Sequence, residues 1–361
     1  MRVDVDNLIE GCILTDVVIS KTNRPIISKK TVLSAQLIEV IKAFLIKEVE
    51  VENTLVSGVP FNAPRVGKDQ KMPGNAQVEK NPNLNFIDLF LRAKKSFKKE
   101  FVSWQSGMPI DISKIRGIIL PLIEINSTDI FHLHHYSTKE EYLYDHPLAV
   151  GIISAFIAKK LNYSKGDIAQ IALAGSLSDC GMAKISPSLL HKNSTLTIEE
   201  FEEIKNHPSY SYQMVKNSPL LKDAAKLAIL QHHERIDGSG YPFGEKADRI
   251  HHYSKIMAVA DSFHAMTSER SYKPKHSPFK VLEMINEDLF GEFDIASLKA
   301  LSSAVMNFSI GSTIRLSDGQ TAKIVFIEEK NQTRPLIRLL DSNEIIALEK
   351  YRHLHIEEVI Q

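Results

Sequence analysis

Residues 232–244 read HHERIDGSGYPFG, two adjacent histidines and an acid set directly before a glycine-rich turn that ends in Tyr-Pro. In the preceding segment the apolar residues Leu221, Ala225, Ala228 and Ile229 fall at helical spacing, and His232 lies on the same stripe one turn later. His232 is therefore predicted to face a core from the end of a helix. The same test puts Asp261 beside the apolar face of KIMAVADSFHAM and Asp179 just after a helix of small residues, Ala172, Ala174 and Gly175. His146 falls near the start of one predicted helix, His207 with its following proline at the end of another, and His233 beside His232.

Inward-facing acids are expensive unless they are paired or hold a cation. A hydrogen-bonded core histidine or a buried helix cap explains any one of these residues alone. Four inward histidines and two inward acids in one helical region would need many separate partners, and a shared metal centre satisfies all of them together. Imidazoles and carboxylates without sulfur suit Fe, Mn, Zn or Ni, and sequence does not choose among them. The remaining histidines among the 14, including His132, His134, His135, His251, His252, His276, His353 and His355, lack acidic neighbours or motif context and read as packed or solvated.

The chain has 361 residues, enough for two or three domains, with 44 basic and 44 acidic side chains. That balance gives no global field for nucleic acid or a membrane surface, so DNA is not an expected partner and an anionic ligand must be held locally. Cys12 and Cys180 are far apart, which excludes a thiolate metal site and fits a reducing cytosol. The start has no secretion signal, and the longest apolar run, Pro147 to Ala158, is too short to span a bilayer, so a cytoplasmic protein is expected.

The predicted fold class is mainly α: a helical domain over 85–308, flanked by a small N-terminal α/β module over 1–58 and a small C-terminal β module over 309–361. Residues 59–84, rich in Pro, Gly, Asn and Lys, read as a linker. The helical region shows apolar residues three and four apart, as at Leu148, Ile152 and Phe156 and again at Ile198, Phe201 and Ile204, the latter after a capping-box pattern at Thr197–Glu200. After Phe308 the period becomes two around Asp318-Gly319, a hairpin signal.

The succession His146, Asp179, His207, His232-His233-Glu234, Asp237 to Pro242 and Val259-Ala260-Asp261 resembles the HD-GYP subgroup of the HD phosphohydrolase superfamily over roughly residues 130–290. The resemblance implies an all-helical domain around a multi-metal centre that hydrolyses cyclic di-GMP to pGpG or GMP. It implies that one ion takes His146, Asp179 and Asp261, and that a second shares Asp179 and takes His207, His232 and His233. Gly240, Tyr241 and Pro242 would lie beside the substrate with Asp237, and Arg270 and Lys273 of SERSYK would lie on its phosphate side. Cations there would activate water and neutralise phosphate charge.

Two positions depart from the family pattern of His-Asp followed by Gly-Lys, since the stretch here is Ser178-Asp179-Cys180-Gly181-Met182. Ser178 stands where a metal-binding histidine is expected, and Met182 stands where a lysine would meet the scissile phosphate. Tyr142 holds the place of a glutamate expected for a third ion, so one or two divalent ions are expected. These losses predict slow or absent hydrolysis with binding retained, with Asp179, Ser178 and Met182 as the positions that decide it. The alternative is a catalytically silent receptor for a cyclic dinucleotide, or a scaffold for a signalling protein, with a homodimer open in either case.

Overall fold

The computed structural model describes residues 1–19, 25–43, 46–61, 86–125, 128–190, 192, 194–268, 275–287, 289–306, 308–328 and 331–360. The N-terminal part holds β1 (Arg2–Asp4), β2 (Val18–Ile19), β3 (Pro25–Ile27), α1 (Ala35–Ala43) and β4 (Glu48–Glu50), with β1 paired to β4 and β2 to β3, both antiparallel. Val3, Leu14, Leu33, Ile41 and Val51 form its own apolar cluster. Phe61 is buried in that cluster and its amide donates to Asn53 O, so the packing of this part runs past the expected boundary at 58. The rest of the expected linker, residues 62–84, lies outside the described residues.

Helices follow as predicted from residue 86 onward: α2 (Phe86–Gln105), α3 (Ile112–Glu124), α4 (Tyr142–Lys160), α5 (Lys165–Leu177), α6 (Pro187–Leu190), α7 (Ile198–Ile204), α8 (His207–Val215), α9 (Asp223–Gln231), α10 (His252–Thr267), α11 (Pro278–Glu287) and α12 (Ile295–Val305). In α2, Phe90, Phe97, Phe101 and Trp104 recur at three, four and seven residues and are fully buried. Asp111 caps α3 by accepting from the amide of Ser113 at 2.9 Å. The centre of the domain is the α4–α5 pair, where Gly151 of α4 faces Gly175 of α5. A side chain at Gly151 would run into Ser176 and the Ala172 carbonyl, so the two backbones approach more closely than any larger residue permits.

The capping box of α7 forms as predicted, Thr197 and Glu200 each satisfying the other's backbone amide. Its apolar stripe does not face a core: Ile198 is 79% exposed and Phe201 47%. A second difference concerns His207. Proline at the next position cannot extend a helix from within but suits a first turn, and His207-Pro208 opens α8 instead of closing α7, which ends at Ile204.

The C-terminal part is one antiparallel sheet, β5 (Thr313–Leu316), β6 (Thr321–Phe326), β7 (Leu336–Leu339), β8 (Ile345–Ala347) and β9 (Ile356–Ile360), in the order β8-β7-β6-β5-β9. Gly319, with φ +88°, turns β5 into β6. Buried Arg334 ties the sheet to α11 through an ion pair with Glu283 and hydrogen bonds to the carbonyls of Leu348, Tyr351 and Leu354. Among the described residues no helix is long and apolar enough to cross a membrane.

Candidate metal centre

Five elements deliver the six inward residues to one place. α4 carries His146 in its first turns, α10 carries Asp261, and α8 opens with His207. His232 and His233 follow directly on the last turn of α9. Asp179 leaves the end of α5 and is held against α8 by Ser211, one helical turn beyond His207. The Ser211 hydroxyl donates to Ser178 O and accepts from the Gly181 amide at 2.7 Å. Gly181 is required at this crossing, because a side chain there would meet the His207 carbonyl and the Ser211 backbone.

Asp179 Oδ1 lies 3.2 Å from His207 Nε2 and 3.4 Å from His232 Nε2, and Oδ2 lies 3.6 Å from His146 Nε2. Asp261 completes the ring, with Oδ1 2.8 Å from His146 Nε2 and Oδ2 3.5 Å from His233 Nδ1. Burial pushes both carboxyls up, but the imidazoles against them outweigh it. With a positive charge on the rings, His207 and His232 hold Asp179, and His233 and His146 hold Asp261, well below the usual carboxylate range; with neutral rings that place is left for a cation. Burial and the neighbouring His232 depress His233, which favours the neutral, lone-pair form that binds cations.

The outer nitrogens of two of these rings fix what the inner ones offer. His207 Nδ1 is 2.7 Å from Ile204 O and His232 Nδ1 is 2.7 Å from Ile229 O, contacts in which only the nitrogen donates. In their neutral forms both Nε2 atoms then carry lone pairs, and these face each other at 3.2 Å and also face Asp179 Oδ1. Asp179 Oδ1 is buried and has no hydrogen-bond partner. Three acceptors this close, with no hydrogen to share, fit a cation. Asp179, His207, His232 and His233 each offer a ligand atom within 4.8 Å of the others.

Glu234, buried directly after the histidines, accepts from the amides of Phe243 and Glu245 at 2.8 and 2.9 Å and so folds the following loop back over the end of α9. Tyr241 in that loop lies against His233, with ring centres 4.7 Å apart. Gly240 is expected to let backbone approach a ligand; the approach it makes is to its own chain, since a side chain there would overlap residues 233–235. Pro242 follows Tyr241 through a cis peptide. Asp237 is exposed, its carboxylate accepting from the Ser239 amide and hydroxyl as a turn cap.

Ser178 is buried and donates its hydroxyl to Gly175 O at 2.9 Å. Met182 packs against the apolar core. Tyr142 stacks on His146 at 4.8 Å, and Glu141 pairs with Lys94 and Lys98. Arg270 and Lys273 lie outside the described residues. His264, absent from the sequence reading, is buried beside His146, with Nδ1 to Nδ1 2.9 Å. It stands three residues after Asp261 on α10, a spacing that shares a helix face and was the available signal.

A helical bundle closing four imidazoles and two carboxylates into one buried ring defines the HD class of metal-binding domains, and residues 129–294 match the HD domain family model HD_5. Within that class the helical domain is similar to proteins of the HD-GYP family. The chain is 28% identical to a cyclic di-GMP phosphodiesterase of Pseudomonas aeruginosa over 70% of its length and 61% of that protein. It is 40% identical to a cyclic di-GMP phosphodiesterase of Thermotoga maritima over 54% of its length and 53% of that protein. A 3'3'-cGAMP-specific phosphodiesterase of Vibrio cholerae is 30% identical over 56% of the chain and 41% of its own length. The chain thus spans about half to three fifths of the curated relatives it matches first. An HDG"Y"P protein from Bdellovibrio bacteriovorus shares the fold, at TM-score 0.50 and 13% identity over 84% of this chain and 98% of that one.

Proposed function

We propose that this protein hydrolyses a phosphodiester bond of cyclic di-GMP at the ring of His146, Asp179, His207, His232, His233 and Asp261. The observation that carries the reading is the pair of imidazole lone pairs facing each other and the unpartnered Asp179 oxygen. The proposed ligand sets are His146, Asp179 and Asp261 for one ion, and Asp179, His207, His232 and His233 for the other. Sulfur-free donors of this kind fit Fe, Mn, Zn or Ni. Such ions supply an activated water and neutralise phosphate oxygens.

The chain's own residues do the rest. The Ile204 and Ile229 carbonyls orient His207 and His232 before any ligand arrives. Glu234 holds the loop that sets Tyr241 over His233 at the edge of the ring, where its aromatic side chain would meet a base or ribose of the substrate. Two curated relatives named as cyclic di-GMP phosphodiesterases support the substrate, and the cGAMP-specific relative makes that dinucleotide the necessary control. A cytoplasmic setting fits two free, buried cysteines.

The direct test is product formation from cyclic di-GMP and from 3'3'-cGAMP by purified protein supplied with Mn²⁺ or Fe²⁺. Linear product from cyclic di-GMP is expected, and metal-loaded protein without turnover on either dinucleotide would refute the reading. Turnover is expected to be limited at Ser178, whose hydroxyl is turned to the α5 backbone, and at Met182, which brings no charge to a phosphate. Restoring a charged contact is worth ~1–3 kcal/mol, so the pair Ser178→His and Met182→Lys should raise the rate by about 5- to 150-fold. An unchanged rate in the double variant would show that neither position limits hydrolysis.

A further inference from the structure

His207 and His232 give their outer ring nitrogens to backbone carbonyls three residues earlier in the chain. His146 differs. Its Nδ1 lies 2.9 Å from Nδ1 of His264, while its Nε2 lies 2.8 Å from Asp261 Oδ1. Both contacts come from α10, three residues apart, so one helix grips the ring from both sides. Tyr142 stacks over both imidazoles, at 4.8 Å from His146 and 6.3 Å from His264, and the Ser268 hydroxyl lies almost equally far from the two nitrogens of His264, 3.4 Å from Nδ1 and 3.3 Å from Nε2. Both histidines are buried.

A backbone carbonyl can only accept, so it locks the histidine it holds into one tautomer. An imidazole can donate or accept at Nδ1. Two neutral rings meeting nitrogen to nitrogen share one proton, and its position decides what His146 Nε2 offers. If His264 donates, His146 carries its hydrogen on Nε2 and gives it to Asp261, leaving no lone pair for a cation. If His146 donates, its Nε2 lone pair points at the Asp261–Asp179 side, and His264 carries its own hydrogen on Nε2. Both states are neutral overall, so the switch moves hydrogens within the pair and releases none.

We infer that His264 is a positioning residue which, by accepting the Nδ1 hydrogen of His146, holds His146 in the tautomer able to bind a divalent cation. The inference rests on the metal centre proposed above. It makes the His146 side of the centre adjustable, whereas His207 and His232 are each fixed by a backbone carbonyl.

The test compares His264→Asn with His264→Leu. Asparagine places an oxygen near where the histidine places Nδ1 and can accept; leucine fills similar space and cannot. Mn²⁺ binding by isothermal titration calorimetry should show His264→Leu losing about 10- to 100-fold in affinity for the weaker ion, with His264→Asn within about threefold of the parent protein. Equal loss in both variants would assign His264 a merely structural role, and no loss in either would remove it from the centre; either result overturns the inference. A readout independent of the variants is the imidazole ¹⁵N spectrum of the Zn²⁺-loaded parent protein. It should show His146 protonated on Nδ1 and His264 on Nε2, and hydrogen on His264 Nδ1 would overturn the inference even if a variant fails to fold. Absence of any Mn²⁺ binding by the parent protein would instead defeat the functional reading itself, and the inference with it.

Discussion

Replacing Asp179 by asparagine should lower hydrolysis of cyclic di-GMP by on the order of 10³-fold or more, because removal of even one preorganised electrostatic group from a transition-state site costs about 10²–10³. Asp179 is more than one group in this sense. Its two oxygens face the imidazoles of His146, His207 and His232, so both proposed ligand sets lose their shared member together. The same substitution should abolish stabilisation by metal. A cation at about 100 times its dissociation constant raises unfolding free energy by about 2.7 kcal/mol, and this shift in Tm on adding Mn²⁺ should vanish in Asp179→Asn. A variant that keeps activity within tenfold of the parent, or keeps the Mn²⁺-dependent rise in Tm, would remove Asp179 from the bridging role.

How far the sequence carried this site depends on the kind of signal each residue left. Asp179, His232 and Asp261 could be read as inward because helical periodicity reports which face a side chain occupies, and the structure brings them within reach of His146, His207 and His233. Periodicity reports the face but not what covers it. Ile198 and Phe201 carry the spacing of a buried stripe and stand exposed, because among the described residues no element packs over that side of the seven-residue α7.

Local chemistry is ambiguous in sequence where one residue type serves two ends. The His207-Pro208 pair fits a helix stop as well as a helix start, and only the next turn decides. Gly240 signals close approach without saying to what, and the partner is its own backbone. Asp237, read as a substrate neighbour, satisfies the turn it stands in. Least legible were the partners that burial creates between distant segments. For the contact of His264 with His146, 118 residues away, the only sequence signal is the spacing of His264 from Asp261, and nothing near Lys94 points to Asp145. Arg334, which joins the C-terminal sheet to α11 through Glu283, looks in sequence like any surface arginine.

Lys94 carries the second large effect, on stability. It is fully buried, pairs with Asp145 at 2.9 Å and with Glu141 at 3.2 Å, and donates to Tyr136 O at 3.2 Å. Asp145 precedes His146 on α4, so the pair anchors the turn that presents the histidine. Burial pushes the Asp145 carboxyl up to about 6, with the Lys94 ammonium pulling it down and the Glu141 carboxylate pushing it further up. A folded-state value above the unfolded one means that this group's contribution to stability is fully present below the unfolded value, 3.8, and is lost as pH rises through about 6. Lys94→Met keeps the volume and removes the cation, leaving the upward push opposed by less and the loss extended to higher pH. At pH 8 the variant should be less stable than the parent by about 3–5 kcal/mol, the usual cost of breaking a buried pair. At pH 5, where Asp145 of the variant takes up a proton and buries no charge, the deficit should be clearly smaller. Adding Asp145→Asn to Lys94→Met should recover much of the loss at pH 8, since it removes the stranded carboxylate. Urea unfolding at the two pH values measures each quantity, and a deficit that is the same at pH 5 and pH 8 would show that the stranded charge of Asp145 is not its source.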